Sequence, residues 1–360
     1  MTLSVFALLG RKDEPTDAVE EYCRYLGAAL QAHDIQLQIR RVPWELHGWR
    51  ESLHALKLQS AAWHGKWVLV QYTALAWSAR GFPLRFLRVL KMLKTSGARV
   101  GVVFHDVEPY SSPRLIDQLR RRIQVRVMRR ALKLSDLAIL TVTPENLSWM
   151  KGTPGTSAFV PVGANLPFPD APLPRAHPDP PTIGVFSITG GEQGVTETQV
   201  ILQTVRHASR DLGKLRLSVF GRHAELRESA LREGLRDFPV QVSVEGVLEA
   251  QEIVRRFAAC DVLLFVRNGI STRRGSAIAG IAAGLPVVAY KDSETAPPVT
   301  NAGIVLVDPA QSAQLGDAIV RILADAELRQ ELSARSRAAY EAHFAWPAIA
   351  AKFAALLRTK

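Results

Sequence analysis

Twelve short strand-like runs, separated by segments of helical length, constrain this chain more than any other feature. The first six are SVFALL from residue 4, IQLQIRRV from 35, WVLVQY from 67, ARVGVVF from 98, LAILTV from 137 and SAFVPV from 157. Between them lie helical stretches such as DAVEEYCRYLGAALQAH. This strand-helix-strand rhythm is that of a parallel sheet. The segment LPFPDAPLPRAHPDPP, residues 166–181, then holds 7 of the 21 prolines, too many for a helix or an interior strand and suited to a stiff linker. After it the rhythm restarts with PTIGVFSI, LRLSVFG, VQVSVEG, DVLLFVR, PVVAY and GIVLVD. The expected organisation is a first Rossmann-like domain over 1–165, the linker at 166–181 and a second Rossmann-like domain over 182–340. A C-terminal helical segment at 341–360, broken at Pro347, is expected to pack back across the first domain. Two doubly wound domains would face each other across a cleft, with ligands at the carboxyl ends of the strands.

The chain has 360 residues, more than one ordinary core holds, and with 47% apolar and 22% charged residues it folds by burial. Only Cys23 and Cys260 are present, which excludes a disulfide framework and a cysteine-rich metal site and favours a reducing compartment, with the cytoplasm as the expectation. The start, MTLSVFALLGRKDEPTD, has a short apolar run with no basic segment before it, and no stretch approaches the roughly 18 apolar residues of a membrane span. Neither export nor a membrane span is expected.

The formal net charge of +11 is concentrated. Residues 80–133 carry 14 Lys or Arg against Asp106, Glu108 and Asp117, a surplus equal to that of the whole chain. Arg85, Arg88, Lys91 and Lys94 fall three apart on one helical face, and RLIDQLRRRIQVRVMRRALKLSD adds a second basic helix. Two readings of this region stand, a solvated helix face and a contact with the anionic inner face of a membrane. Nucleic acid is not expected, because zinc-finger spacing, an RNA-binding aromatic strand and a basic tail are all missing from the sequence.

The strongest local signal is VLLFVRNGISTRRGSAIAGIAAGLPVVAY, residues 262–290. A strand expected to end at Arg267 leads into a loop containing Ser271, Thr272, Arg273, Arg274, Gly275 and Ser276, and the loop opens a helix of small residues. Free backbone N–H groups, the positive end of the helix dipole and planar arginine donors suit a diphosphate. Ordinary capping by Ser or Thr, with the arginines in solvent, is the competing reading. Thr189, Gly190 and Gly191, in FSITGGEQG, give a second flexible backbone near the expected phosphates. In the first domain, Asp17 stands at a helix start, where capping explains it as well as contact with a ligand does. His105 and Asp106 follow a strand, and Tyr72 and Asn165 are further candidates on the acceptor side. No His pair or Cys cluster has metal-ligand spacing, and no metal is expected.

These segments resemble the GT-B glycosyltransferases, specifically their family 4-like retaining group. AIAGIAAGLPVVAY is similar to that family's helix and turn, HFAWPAIAAKFAALL to its closing segment and crossing helix, and SDLAILTVTPENLSWM with FVPVGANLP to the end of its first domain. The resemblance implies transfer of a hexose-like sugar from a nucleotide diphosphate donor, itself a substrate, with no cofactor. It also implies that His105 touches the donor sugar and that the leaving phosphate assists the incoming hydroxyl. Two departures stand out. The family's paired glutamates fall here on Ser271 and Ala279, and its Arg and Lys after the first strand of the second domain are replaced by FSITGGEQG. Arg267, Arg273 and Arg274 would then replace the missing cations, with Arg274 favoured for the departing diphosphate. The alternative is a GT-B protein that has lost catalysis and either binds a nucleotide sugar or, associated with a membrane, anchors partners there.

Overall fold

A computed structural model describes residues 2–14, 17–109, 114–150, 157–169, 173 and 179–359. The chain divides into two compact units, Met1–Val162 with Trp346–Lys360, and Gly163–Ala345. The break thus falls at Val162 rather than at residue 165, and most of the segment expected as a linker lies outside the described residues.

The first unit runs β1 (Leu3–Leu9), α1 (Ala18–Leu30), β2 (Ile35–Arg41), α2 (Trp44–Ser60), β3 (Trp67–Tyr72), α3 (Phe86–Thr95), β4 (Arg99–Phe104), α4 (Leu115–Leu134), β5 (Leu137–Leu140) and β6 (Ser157–Phe159). Its sheet has the order β2-β1-β3-β4-β5-β6, and every pairing is parallel. Interior strands of this sheet are apolar on both faces, every residue of β3 and of β5 being buried, whereas the edge strand β2 alternates and stays largely half-buried or exposed. Trp63, Trp77, Phe86, Phe104 and Trp149 fill the core between this sheet and its helices.

The second unit runs β7 (Thr182–Phe186), α5 (Gly191–Leu212), β8 (Leu215–Phe220), α6 (Glu228–Gly234), β9 (Val240–Glu245), α7 (Ala250–Ala258), β10 (Val262–Gly269), α8 (Gly275–Ala282), β11 (Val287–Tyr290), β12 (Ile304–Val307), α9 (Gln314–Ala324) and α10 (Ala326–Ala339). Its sheet has the order β12-β11-β10-β7-β8-β9, again parallel throughout. This is the strand order of the dinucleotide-binding doubly wound fold, with its reversal of winding between β7 and β10. In the first sheet the reversal lies between β1 and β3. All twelve expected strands form, and β10 continues past Arg267 to Gly269 through a register shift, with Asn268 at φ 57°.

The last helix, α11 (Trp346–Arg358), belongs to the first unit. Trp346 stacks on Tyr25 at 5.6 Å, the Trp67 indole N–H donates to Leu357 O at 3.0 Å, and Ile349, Phe353 and Leu357 are buried. Each such buried side chain contributes about 1.5 to 3 kcal/mol. The expected break at Pro347 lies instead at Ala345, an extended residue that follows a π-helical turn, Tyr340–Phe344. Pro347 sits in the first turn of α11, where a missing N–H costs nothing. Among the described residues no helix is long and apolar enough to cross a membrane.

Candidate functional site

In a doubly wound sheet the strand ends diverge where the winding reverses, and each unit builds a polar site there. In the second unit the turn after β7 is tied down by a buried carboxylate. Thr189 donates its backbone N–H and its hydroxyl to Glu197 of α5 at 2.8 and 2.7 Å. The turn leaves no room for a side chain at Gly194, where an added Cβ would lie 1.9 Å from Thr189 O. Gly191 has φ +66°, a conformation that glycine adopts without strain, and it opens α5 behind Gly190.

The loop after β10 faces this turn. Arg267 reaches from Thr189 Oγ1, at 3.3 Å, to Ser276 Oγ, at 3.5 Å, and so spans the start of both helices. Burial lowers its pKa, Glu197 raises it and Arg222 lowers it further. Neither α5 nor α8 has a side-chain cap at its N-terminus. Two positive helix ends with uncapped N–H groups therefore open beside Arg267. An added Cβ at Gly275 would meet nothing within 4 Å, so the space before the first turn of α8 is open.

The two adjacent arginines part company. Arg273 is held by Glu294, from the segment between β11 and β12, through two hydrogen bonds of 2.7 Å. Ser271, fully buried, donates to the same carboxylate at 3.0 Å, and Thr272 is buried beside it. Ser271, Thr272 and Arg273, expected to contact a donor, thus form the inner, structural side of the loop. Arg274 is different. It occupies the capping position of α8, and its Nε is buried without a hydrogen-bond partner. Burial and then Arg273 lower its pKa, against Glu294 and Asp292, and Arg267 lowers it further. A guanidinium crowded by other cations is primed to take an anion.

In the first unit a cavity of about 240 Å³ lies at the reversal between β1 and β3, lined by Gly10, Arg11, Asp17, Gln71, Thr73 and Asp106 among others. Asp17 accepts from Val19 N and Glu20 N and pairs with Arg41 at 3.0 Å, so its main task is capping α1. Asp106 accepts from Ala74 N at 2.8 Å and orders the turn after β3. Tyr72 is corrected: its ring packs on Phe86 and Phe104 inside the core, 1% exposed. The neighbouring Gln71 points the other way, to the cavity. Asn165, half-buried, lies beyond the end of the first unit.

His105 follows β4, edge-on to Tyr22 at 4.9 Å. Gln71 donates its amide to Leu69 O at 3.1 Å, which turns its carbonyl oxygen toward His105 Nε2 at 2.8 Å. The imidazole therefore carries its proton on Nε2 and leaves Nδ1 as an acceptor. Burial lowers its pKa to about 4, with Asp17 opposing. A base whose folded pKa is depressed contributes its stability above its unfolded value near 6.5 and loses it as pH falls toward 4, by at most about 3 kcal/mol. Among the nine histidines, the Cε1 proton resonance missing from His105→Gln should stay fixed between about pH 8 and pH 5, and titration near 6.5 would refute the neutral assignment.

Sequence reasoning missed Glu197, Glu294, Gln71 and Arg222. Each acts on a partner in a different element, and no local spacing marks it. Among the described residues, no group of three or more His, Cys, Asp or Glu could hold a metal ion.

Residues 185–325 match the family model of glycosyl transferases group 1. No curated protein matches the sequence. Among solved structures, sucrose-phosphate synthase from Thermosynechococcus elongatus is similar over 99% of this chain and 98% of its own, with a TM-score of 0.71 at 19% identity. HepE of Anabaena, solved with UDP and glucose, is similar over 99% of this chain and 100% of its own, with a TM-score of 0.66 at 15% identity. A glycosyltransferase from Rickettsia africae is similar over 99% of this chain and 98% of its own, with a TM-score of 0.65 at 12% identity. The chain has the two-domain GT-B fold of these glycosyltransferases, and its second unit carries the match to glycosyl transferases group 1.

Proposed function

We propose that this protein transfers a hexose-like sugar from a nucleotide diphosphate donor to an acceptor hydroxyl, with retention and without a metal ion. The observation that carries the reading is the pair of uncapped helix N-termini, α5 and α8, with Arg267 between them and the unpartnered Arg274 Nε beside them. The UDP and UDP-glucose complexes of HepE support a donor of this class. Breaking the bond from the sugar C1 to the phosphate oxygen leaves charge on the diphosphate, where the two helix ends, Arg267 and Arg274 would stabilise it. The hydroxyl oxygen bonds to C1 from the same face, and its proton passes to the departing phosphate oxygen. Asp17, Gln71 and Asp106 would line the acceptor's cavity, and His105, held neutral, would serve the sugar as a hydrogen-bonding group rather than as an acid.

One observation favours a second reading, a binder without turnover. Ser271 and Ala279 stand where the resembling family has carboxylates, and both are buried. A thermal-shift series with UDP, GDP, ADP and their glucose conjugates, followed by donor turnover in excess EDTA, separates the readings. A true ligand at 100 times its dissociation constant stabilises by about 2.7 kcal/mol. Stabilisation with EDTA-resistant turnover is expected. Stabilisation without turnover would favour the binder, no shift with any diphosphate would overturn the site, and activity that EDTA abolishes and magnesium restores would overturn metal independence.

A further inference from the structure

The basic region of the first unit is not a uniformly solvated surface. Helix α4 buries Asp117, Gln124, Val127, Met128, Ala131 and Leu132 on one face. Its opposite face begins with Leu115, Ile116 and Leu119, which are 83%, 50% and 49% exposed. At helical spacing the same stripe continues through Arg122, Arg126, Arg130 and Lys133, all exposed. These four cations form no hydrogen bond or ion pair among the described residues. The acids nearby are turned away or engaged. Asp117 is buried against Arg120, Glu108 accepts from Ser148 N and Oγ at 2.8 and 3.0 Å, and Asp106 accepts from Ala74 N. Helix α3, packed on α4, adds the exposed Arg85, Arg88 and Lys91.

We propose that the exposed face of α4 docks on an anionic lipid bilayer, with Leu115, Ile116 and Leu119 in the acyl boundary and the four free cations among the headgroups. Charge complementarity selects an anionic partner, and the apolar first turn selects lipid over nucleic acid, because a phosphate backbone offers nothing to three exposed aliphatic side chains. The residues of this surface belong to the first unit and those of the proposed donor site to the second, so the proposal stands whether or not the chain transfers sugar.

The test is flotation of the full chain with vesicles of phosphatidylcholine alone or mixed with phosphatidylglycerol, alongside a duplex DNA binding assay. Binding to the mixed vesicles only is expected, and it should weaken as salt rises from about 0.1 M to about 1 M and the screening length falls from about 10 to about 3 Å. Each cation near the surface is worth roughly fivefold, so R122Q/R126Q/R130Q/K133Q should lose several hundredfold, on the order expected from four such contacts. L115S/I116S/L119S, at unchanged charge, should lose about tenfold or more. Both variants alter exposed side chains and should keep the parent melting temperature. Equal binding to neutral vesicles, no loss in the serine variant, or tighter binding to DNA than to the mixed vesicles would overturn the proposal.

Discussion

Replacing Arg274 by Ala is expected to slow sugar transfer by roughly 10² to 10³, the 2.7 to 4 kcal/mol that one preorganised donor to developing charge typically supplies. Donor affinity should change far less, because negative charge on the diphosphate would grow as the bond to the sugar breaks, and Arg274 in the proposed role would act most strongly on that growing charge. Arg274 is proposed for this effect over Arg273 because its Nε is buried without a partner, whereas Arg273 spends its planar edge on Glu294. Arg274→Lys should recover only part of the loss, since an ammonium cannot reproduce the two-pronged contact. Single-turnover kinetics with a saturating donor measure this. If Arg274→Ala stays folded and transfers sugar within a few-fold of the parent rate, the diphosphate lies elsewhere.

Glu294→Ala should act first on stability. It would leave the Arg273 guanidinium, 18% exposed, without its carboxylate, and would free the Ser271 hydroxyl. Removing one partner of a buried pair costs about 3 kcal/mol, which for a domain of this size is a fall of roughly 6 to 12 °C in melting temperature. Removing Arg273 as well should restore part of the loss, because the stranded charge disappears with it. A double variant less stable than the sum of the singles would contradict this account. The pH dependence carries a sign. Burial raises the Glu294 pKa, but the hydrogen bonds and charge of Arg273, the charge of Arg274 and the Ser271 hydroxyl outweigh it, and the net shift is downward. A carboxylate with a depressed folded pKa stabilises above its unfolded value and loses that contribution as pH falls through the folded one. The gap between parent and Glu294→Ala should therefore be full at neutral pH and close only below about pH 4.

Two levels of determination separate cleanly in this protein. The elements were legible in the residue order, because the strands are short runs, continuously apolar as in VLLFV of β10 or alternating as in VQVSVE of β9, turn residues bound them, and helices such as α11 repeat their apolar positions at helical spacing. Parallel strands with helical crossovers leave few architectures open, so the two-domain fold followed from local pattern. The site residues were another matter. Runs buried on both faces have no alternation, so nothing in WVLVQY indicates that Gln71 turns to a cavity while Tyr72 enters the core. The loop STRRGS announced cations before a helix, yet which arginine was free depended on Glu294, more than twenty residues away in sequence and delivered by another strand's end. The apolar and cationic stripe of α4 was visible as composition, but only packing decided that Asp117 faces inward and Leu115 outward. Secondary structure answers to neighbours within a few residues, which the sequence contains directly, whereas the state of a charged side chain answers to whatever the tertiary fold brings within hydrogen-bonding distance.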